Sequence, residues 1–360
     1  VKRLSWTVVL PLLALVALAL TWGREIGLIP AVIEGALLAG AVLAAVHHAE
    51  VVAHRVGEPF GSLVLAVAVT TIEVALIVTL MASGGDKSAT LARDTVFAAV
   101  MITTNGIAGL SLLIGSFRYG VALFNANGSG AALATITTLA TLSLVLPTFT
   151  TSHQGPEFSP GQLTFAALAS LGLYLLFVFT QTVRHRDFFL PVTQTETVED
   201  DDEHAAPPST RSALMSLALL LVALVAVVGL SKVESPVIER AVTAVGFPQS
   251  FVGVVIATLV LLPETLAAVR AARRGRIQIS LNLAYGSAIA SIGLTIPAIA
   301  LASIWLSGPL LLGLGPTQLV LFALTVVVSV LTVVPGRATR LQGEVHLVLL
   351  AAYMFLAVIP

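Results

Sequence analysis

The sequence predicts an all-α polytopic membrane protein of eleven transmembrane helices, one leading helix followed by two inverted five-helix repeats. Three observations carry this. The 360-residue chain is 57 % hydrophobic and only 10 % charged, whereas soluble domains carry about 25 % charged residues. Its apolar runs are continuous, 18 to 26 residues each, long enough for helices to cross a hydrocarbon core of about 30 Å. They lack the alternation of a membrane barrel. Finally, Glu73 and Glu264 each lie deep in such a run, one in each half of the chain.

The runs are 4–22, 30–49, 58–83, 94–116, 128–147, 161–183, 212–231, 248–270, 280–305, 314–335 and 343–360. The first follows Val1-Lys2-Arg3 as a signal peptide would, but it is long enough to span. No clear small-x-small cleavage site follows the run before Gly23-Arg24-Glu25, so it reads as a retained helix. Span 2 carries Glu34 near one end, which reads as a vestibule or interface residue. His47, His48 and His54 cluster at its other end, either as plain surface residues or as a pH sensor. Span 3 carries Thr70, Thr71 and Glu73. Span 4 opens on Asp94, which suits a helix N-terminus, and contains Thr103-Thr104-Asn105-Gly106, where an amide at membrane depth needs partners. Span 8 holds Pro263-Glu264. Span 9 holds Gly286, Ser287 and Ser291, small residues of the kind that let membrane helices approach closely. Glu50, Glu58 and Glu344 flank spans and read as solvated or interfacial.

Between spans 6 and 7 lies a hydrophilic segment, 184–211, containing the acidic stretch 196–203. It reads as a linker, or as a cytosolic element that attracts cations. The chain thus divides into a first helix and loop (1–29), a five-helix repeat (30–183), the linker (184–211) and a second five-helix repeat (212–360). With the N-terminus in the cytoplasm, thirteen of the eighteen Lys and Arg residues fall on inside segments and five outside, as the positive-inside rule requires. The C-terminus is then outside.

An ionised carboxylate at the bilayer centre costs roughly 2.5–3.5 kcal/mol or more, so Glu73 and Glu264 need a reason. Each sits in the second span of its half, and five-span repeats of odd number are inverted. Inverted repeats bring substrate and coupling ions to the midplane on broken or irregular helices. Pro263 removes one helical hydrogen bond, and Thr70 and Thr71 offer hydroxyl oxygens beside Glu73. Such hard ligands suit Ca²⁺, Na⁺ or protons. The supporting set is therefore Thr70, Thr71, Asn105, Pro263, Ser287 and Ser291. There is no cysteine, so thiolate metal sites and disulfides are excluded. A net charge of −1 argues against a nucleic-acid partner. No His-Glu-x-x-His or Gly-x-Ser-x-Gly motif is present, which argues against an enzyme. Apart from Arg270 at the very end of span 8, no basic residue lies within a span to clamp an organic anion. A cation channel remains the alternative to a carrier.

Gly57-Glu58-Pro59-Phe60-Gly61 leading to Thr71-Ile72-Glu73-Val74, with Leu262-Pro263-Glu264-Thr265 leading to Ala271-Ala272-Arg273, resembles the ChaA-type bacterial calcium(sodium/potassium)/proton antiporters. These belong to the cation/proton exchanger family of the calcium/cation antiporter superfamily. The resemblance covers nearly the whole chain. It implies a bacterial inner-membrane exporter of Ca²⁺, with Na⁺ or K⁺ as further substrates, driven by protons. No resident cofactor is implied, the ions being cargo. In the wider family the two motifs read Gly-Asn-Ala-Thr-Glu and Gly-Asn-Ala-Ala-Glu-His. Here the Asn positions are Thr70 and Leu261, the preceding Gly positions Val69 and Val260, and the His position Thr265. A Gln usual in the next span falls on Ala290. Fewer amide ligands favour Na⁺ or broad specificity over tight Ca²⁺ binding, which prefers six to eight oxygens. The expected cycle has Glu73 and Glu264 bind either one divalent cation or two protons, with alternating access of the site to the two sides.

Overall fold

The computed structural model describes residues 5–24, 26–57, 60–84, 88–153, 155–192, 208–306 and 308–360, the side chains at 28, 60–63 and 83–84 excepted. Glu58, Pro59 and the acidic stretch 196–203 lie outside the described residues. Eleven apolar helices follow in the expected order. They are α1 (Trp6–Thr21), α2 (Leu28–Val56), α3 (Phe60–Gly84), α4 (Leu91–Tyr119), α5 (Ala126–Thr148), α6 (Pro160–Arg184), α7 (Thr210–Ala244), α8 (Phe251–Arg273), α9 (Ile277–Ala302), α10 (Pro316–Val333) and α11 (Arg340–Val358). Ten are long and apolar enough to cross a membrane, and α1, at 16 residues, is shorter.

Local chemistry sets several helix starts. Ser159 and Gln162 form a capping box with Pro160 in the first turn of α6. Asn125 caps α5 through its side chain, and Ser209 caps α7. One boundary differs in substance from expectation. Helix α7 continues past residue 231 to Ala244, through Lys232, Glu234, Pro236, Glu239 and Arg240. Those charges read as loop in the sequence, but Glu234 turns inward and is buried.

Loop contacts sort the connections into two ends of the bundle. At one end Arg55 donates to Thr210 Oγ1 (3.0 Å), and strand β1 (Ala122–Leu123) pairs antiparallel with β2 (Arg337–Ala338). At the other, Leu311 N donates to Ala89 O (3.0 Å), and Thr148 Oγ1 donates to Leu314 O (2.8 Å). Each of these contacts joins connections that the span count places at the same end.

The packing partners come in matched sets. Helix α2 packs along α7, α3 meets α9 while α4 meets α8, and α6 lies on α9 while α11 lies on α4. Exchanging spans 2–6 with 7–11 leaves this pattern unchanged. Close approaches use glycine. A Cβ on Gly293 of α9 would lie 2.6 Å from Tyr174 Cβ of α6. One on Gly343 of α11 would lie 2.7 Å from Leu113 N of α4. The main core fills the space around α4 and α9, with Phe97, Met101, Leu281 and Tyr285 fully buried.

Candidate cation site

Helices α3 and α8 bring Glu73 and Glu264 to one cavity of about 230 Å³, closed on its other sides by α6 and α9. Glu73 is 4 % exposed. Its Oε1 accepts a 2.6 Å hydrogen bond from Ser291 Oγ of α9. Thr295, one turn further along α9, lies beside the same carboxylate, and its hydroxyl has no other hydrogen-bond partner. Glu264 Oε2 is buried without a partner. Thr70 and Ser287 also line the cavity, and no lining residue is basic. Among the described residues the carboxylates therefore lack a fixed counter-charge, and in a low-dielectric setting such a pair is costly unless a cation or protons neutralise it.

The cavity leads toward the end of the bundle where α3 begins, α6 ends and α9 begins. Half-buried Gln181 and Asn282 stand along it, while Glu73 and Ser291 lie buried at its inner limit. Asn282 is not free to move. Its Nδ2 donates to Phe189 O (2.6 Å), and its Oδ1 accepts from Gln278 Nε2 (2.8 Å).

Several anticipated residues lie elsewhere. Thr71 faces away on α3, exposed, and its hydroxyl donates to Val67 O (2.7 Å). The reason is helical periodicity: Thr70 and Glu73 are three apart and share a face, and Thr71 is one position off it. Pro263 is half-buried and absent from the lining, and α8 runs through it unbroken. Irregular backbone lies instead in π-helical segments of α5 (Thr141–Val145), of α6 (Thr180–Arg184, which carries Gln181) and of α4 (Ile102–Ile107). The segment of α4 carries Asn105 away from the glutamates. Asn105 Nδ2 donates to Thr325 Oγ1 of α10 (3.0 Å), and its Oδ1 accepts from His346 Nδ1 of α11 (3.0 Å). The amide at membrane depth does find partners, but as a tie among α4, α10 and α11.

The other candidates are also located. Asp94 is buried and ion-paired with Arg93 (2.8 Å), and Glu344 pairs with Arg340 (2.5 Å). Glu50, His47 and His54 are exposed. His48 is buried, donating from Nε2 to Thr7 O (3.0 Å). Glu34 is buried against α7, away from the cavity. Sequence reasoning missed Tyr174 and Gln181 of α6. Tyr174 lines the cavity with its hydroxyl buried and unpartnered. Its signal was a phenol in mid-span with no interface belt to explain it.

Residues 26–183 and 215–359 match the profile of the sodium/calcium exchanger protein family. The chain is 46 % identical over 362 residues to the putative ionic transporter y4hA of Sinorhizobium fredii (strain NBRC 101917 / NGR234), covering 99 % of this chain and 96 % of that protein. It is 36 % identical over 353 residues to the sodium-potassium/proton antiporter ChaA of Escherichia coli (strain K12), covering 97 % and 94 %. Among solved structures, the H⁺/Ca²⁺ exchanger CAX superposes with a TM-score of 0.73 at 16 % identity, covering 97 % of this chain and 86 % of that one. Native YfkE superposes with a TM-score of 0.71 at 15 % identity, covering 99 % of each chain. At those identities the likeness is one of fold.

Proposed function

The chain belongs to the sodium/calcium exchanger protein family, and from that premise we propose that it exports Ca²⁺, Na⁺ or K⁺ in exchange for protons, with Glu73 and Glu264 as the shared cation and proton ligands. One observation carries the reading: two carboxylates on different helices share a cavity with hydroxyl oxygens and no basic side chain. Loading with a cation or with protons neutralises the pair, and the empty, doubly charged site is costly to move between sides. That asymmetry couples the two fluxes and disfavours leak, which a cation channel would not need. The cargo is inorganic cations and protons within a lipid bilayer.

We further assign the end bearing Arg55, Arg118, Arg184, Arg211 and Arg270 to the cytoplasm, following the positive-inside rule. The cavity then faces the cytoplasm, as a state about to load a cation for export. The division into residues 1–29, a repeat over 30–183, the linker 184–211 and an inverted repeat over 212–360 is supported by the exchange of packing partners described above.

A second reading, Na⁺ or K⁺ exchange with little Ca²⁺ transport, is favoured by the lining itself. Leu261 and Ala290 occupy the positions of two family amides and border the cavity. They leave few oxygens for an ion that prefers six to eight. The name of the Escherichia coli relative, a sodium-potassium/proton antiporter, points the same way. Everted vesicles test both readings. An imposed pH gradient should drive uptake of at least one of Ca²⁺, Na⁺ and K⁺, and Glu73→Gln or Glu264→Gln should reduce it at least tenfold. Undiminished exchange in both variants would sink the two-glutamate site.

A further inference from the structure

Outside the central cavity, the closest structural feature to a second ionisable site is in the seam between α2 and α7. These helices run antiparallel from the Arg55–Thr210 contact at one end, a register that carries Glu34 to the level of Ser231 and Glu234. Both glutamates are buried, 3 % and 4 % exposed. Glu34 Oε2 and Glu234 Oε1 each lack a hydrogen-bond partner. The two side chains lie within electrostatic reach of one another.

Among the described residues the surroundings supply no counter-charge. Helix α1 brings only Thr21 beside Glu34, and α3 and α8 bring Glu73 and Glu264, with Arg270 and Arg273 at the far end of α8. On α7 itself, exposed Lys232 sits over the Trp22 ring at 5.3 Å. Glu239 and Arg240, with Arg24, line an outer hollow of about 670 Å³. Among the described residues no ion pair reaches Glu34 or Glu234. That hollow touches Val233, Pro236 and Val237 but neither glutamate of the seam. Ionising both would set two unscreened negative charges side by side out of water.

We propose that Glu34 and Glu234 form a second proton-binding site, two neighbouring buried carboxyls between α2 and α7 that hold at least one proton between them. Its position gives it a use. Thr71 and Ala75 of α3 border the same surface hollow as Val228 and Gly229 of α7. Glu234 lies five residues beyond Gly229, about 7.5 Å further along the axis at 1.5 Å per residue. The pair thus stands on the side of Glu73 away from the cavity, where a proton from the opposite face of the membrane meets it first. That role in exchange rests on the function proposed above; the proton itself does not.

Infrared difference spectroscopy of the full chain in liposomes reads the site without transport. In a Glu73→Gln/Glu264→Gln background the central carboxylates are gone, so failure of the exchange reading leaves this test intact. A protonated-carboxyl C=O band should persist at neutral pH in that background. It should shift when Glu34→Gln or Glu234→Gln is added singly, and vanish when both are added. Should the quadruple variant not fold, the two single additions decide the matter by the shift alone. A band that neither addition moves overturns the proposal. So does a band abolished by Ca²⁺ or Na⁺ at constant pH, which would make the pair a cation site.

Discussion

At the scale of single residues, the site depends on which face of each helix its oxygens occupy. Glu73 and Glu264 were legible in the sequence because an uncompensated carboxylate in an apolar run is costly whatever surrounds it. Their helpers were legible only in part. Thr70 and Thr71 are chemically alike, and only the 100° step between them sends one to the cavity and the other to an exposed hollow beside α1 and α7. Ser291 was separable from its small neighbours only through its 2.6 Å bond to Glu73. Tyr174 is the clearest omission. Its buried, unpartnered hydroxyl is a liability for stability unless something in the cavity uses it. Tyr174→Phe should therefore leave the midpoint of thermal unfolding in detergent unchanged or higher, while cation affinity falls by about tenfold, near 1.4 kcal/mol. Isothermal titration calorimetry beside a thermal melt separates the two effects. A lower melting point with unaltered affinity would make the hydroxyl a structural group.

Between helices, small residues set the distances at which these side chains meet. The eleven elements were readable from run length and hydropathy, since a membrane-spanning helix announces itself by composition. What the runs could not reveal was where backbone irregularity falls. Pro263 advertised a break in α8, but α8 stays helical through it, and π-helical segments arose in α4, α5 and α6 instead. Nor could they reveal that α7 continues to Ala244, because Lys232, Glu234 and Glu239 resemble loop charges until the burial of Glu234 is known. The Gly109–Gly343 crossing makes the packing argument testable. A methyl at Gly343 would press on Leu113 N at 2.7 Å and Gly109 O at 2.9 Å, both backbone atoms that cannot yield as a side chain would. Gly343→Ala should destabilise the folded protein by about 1–3 kcal/mol. Gly172→Ala on α6, where nothing lies within 4 Å, should be neutral or slightly stabilising. Equal melting points for the two variants would show that α4 and α11 do not meet this closely.

Across the whole molecule, access to Glu73 is one-sided. The cavity joins the glutamates to the end of the bundle where α6 stops at Arg184. Toward the other end the seam of α1, α2, α3 and α7 is closed by residues such as Leu38, Leu76, Val227 and Leu230. A carrier that occludes its site from one face while exposing it to the other has the geometry alternating access requires. Because the chain has no cysteine, a Gln181→Cys substitution introduces its sole thiol, at the half-buried wall of the cavity. A membrane-impermeant maleimide should modify it in everted vesicles, where the cytoplasmic face is outward, and much more slowly in right-side-out vesicles. Saturating Ca²⁺ or Na⁺ should slow the modification further, because an ion held between Glu73 and Glu264 as proposed would sit at the inner limit of the same cavity. Faster labelling in right-side-out vesicles would reverse the assigned orientation and turn the cavity outward. Equal labelling from both sides, insensitive to cations, would point to a continuous pore and return the channel reading to favour.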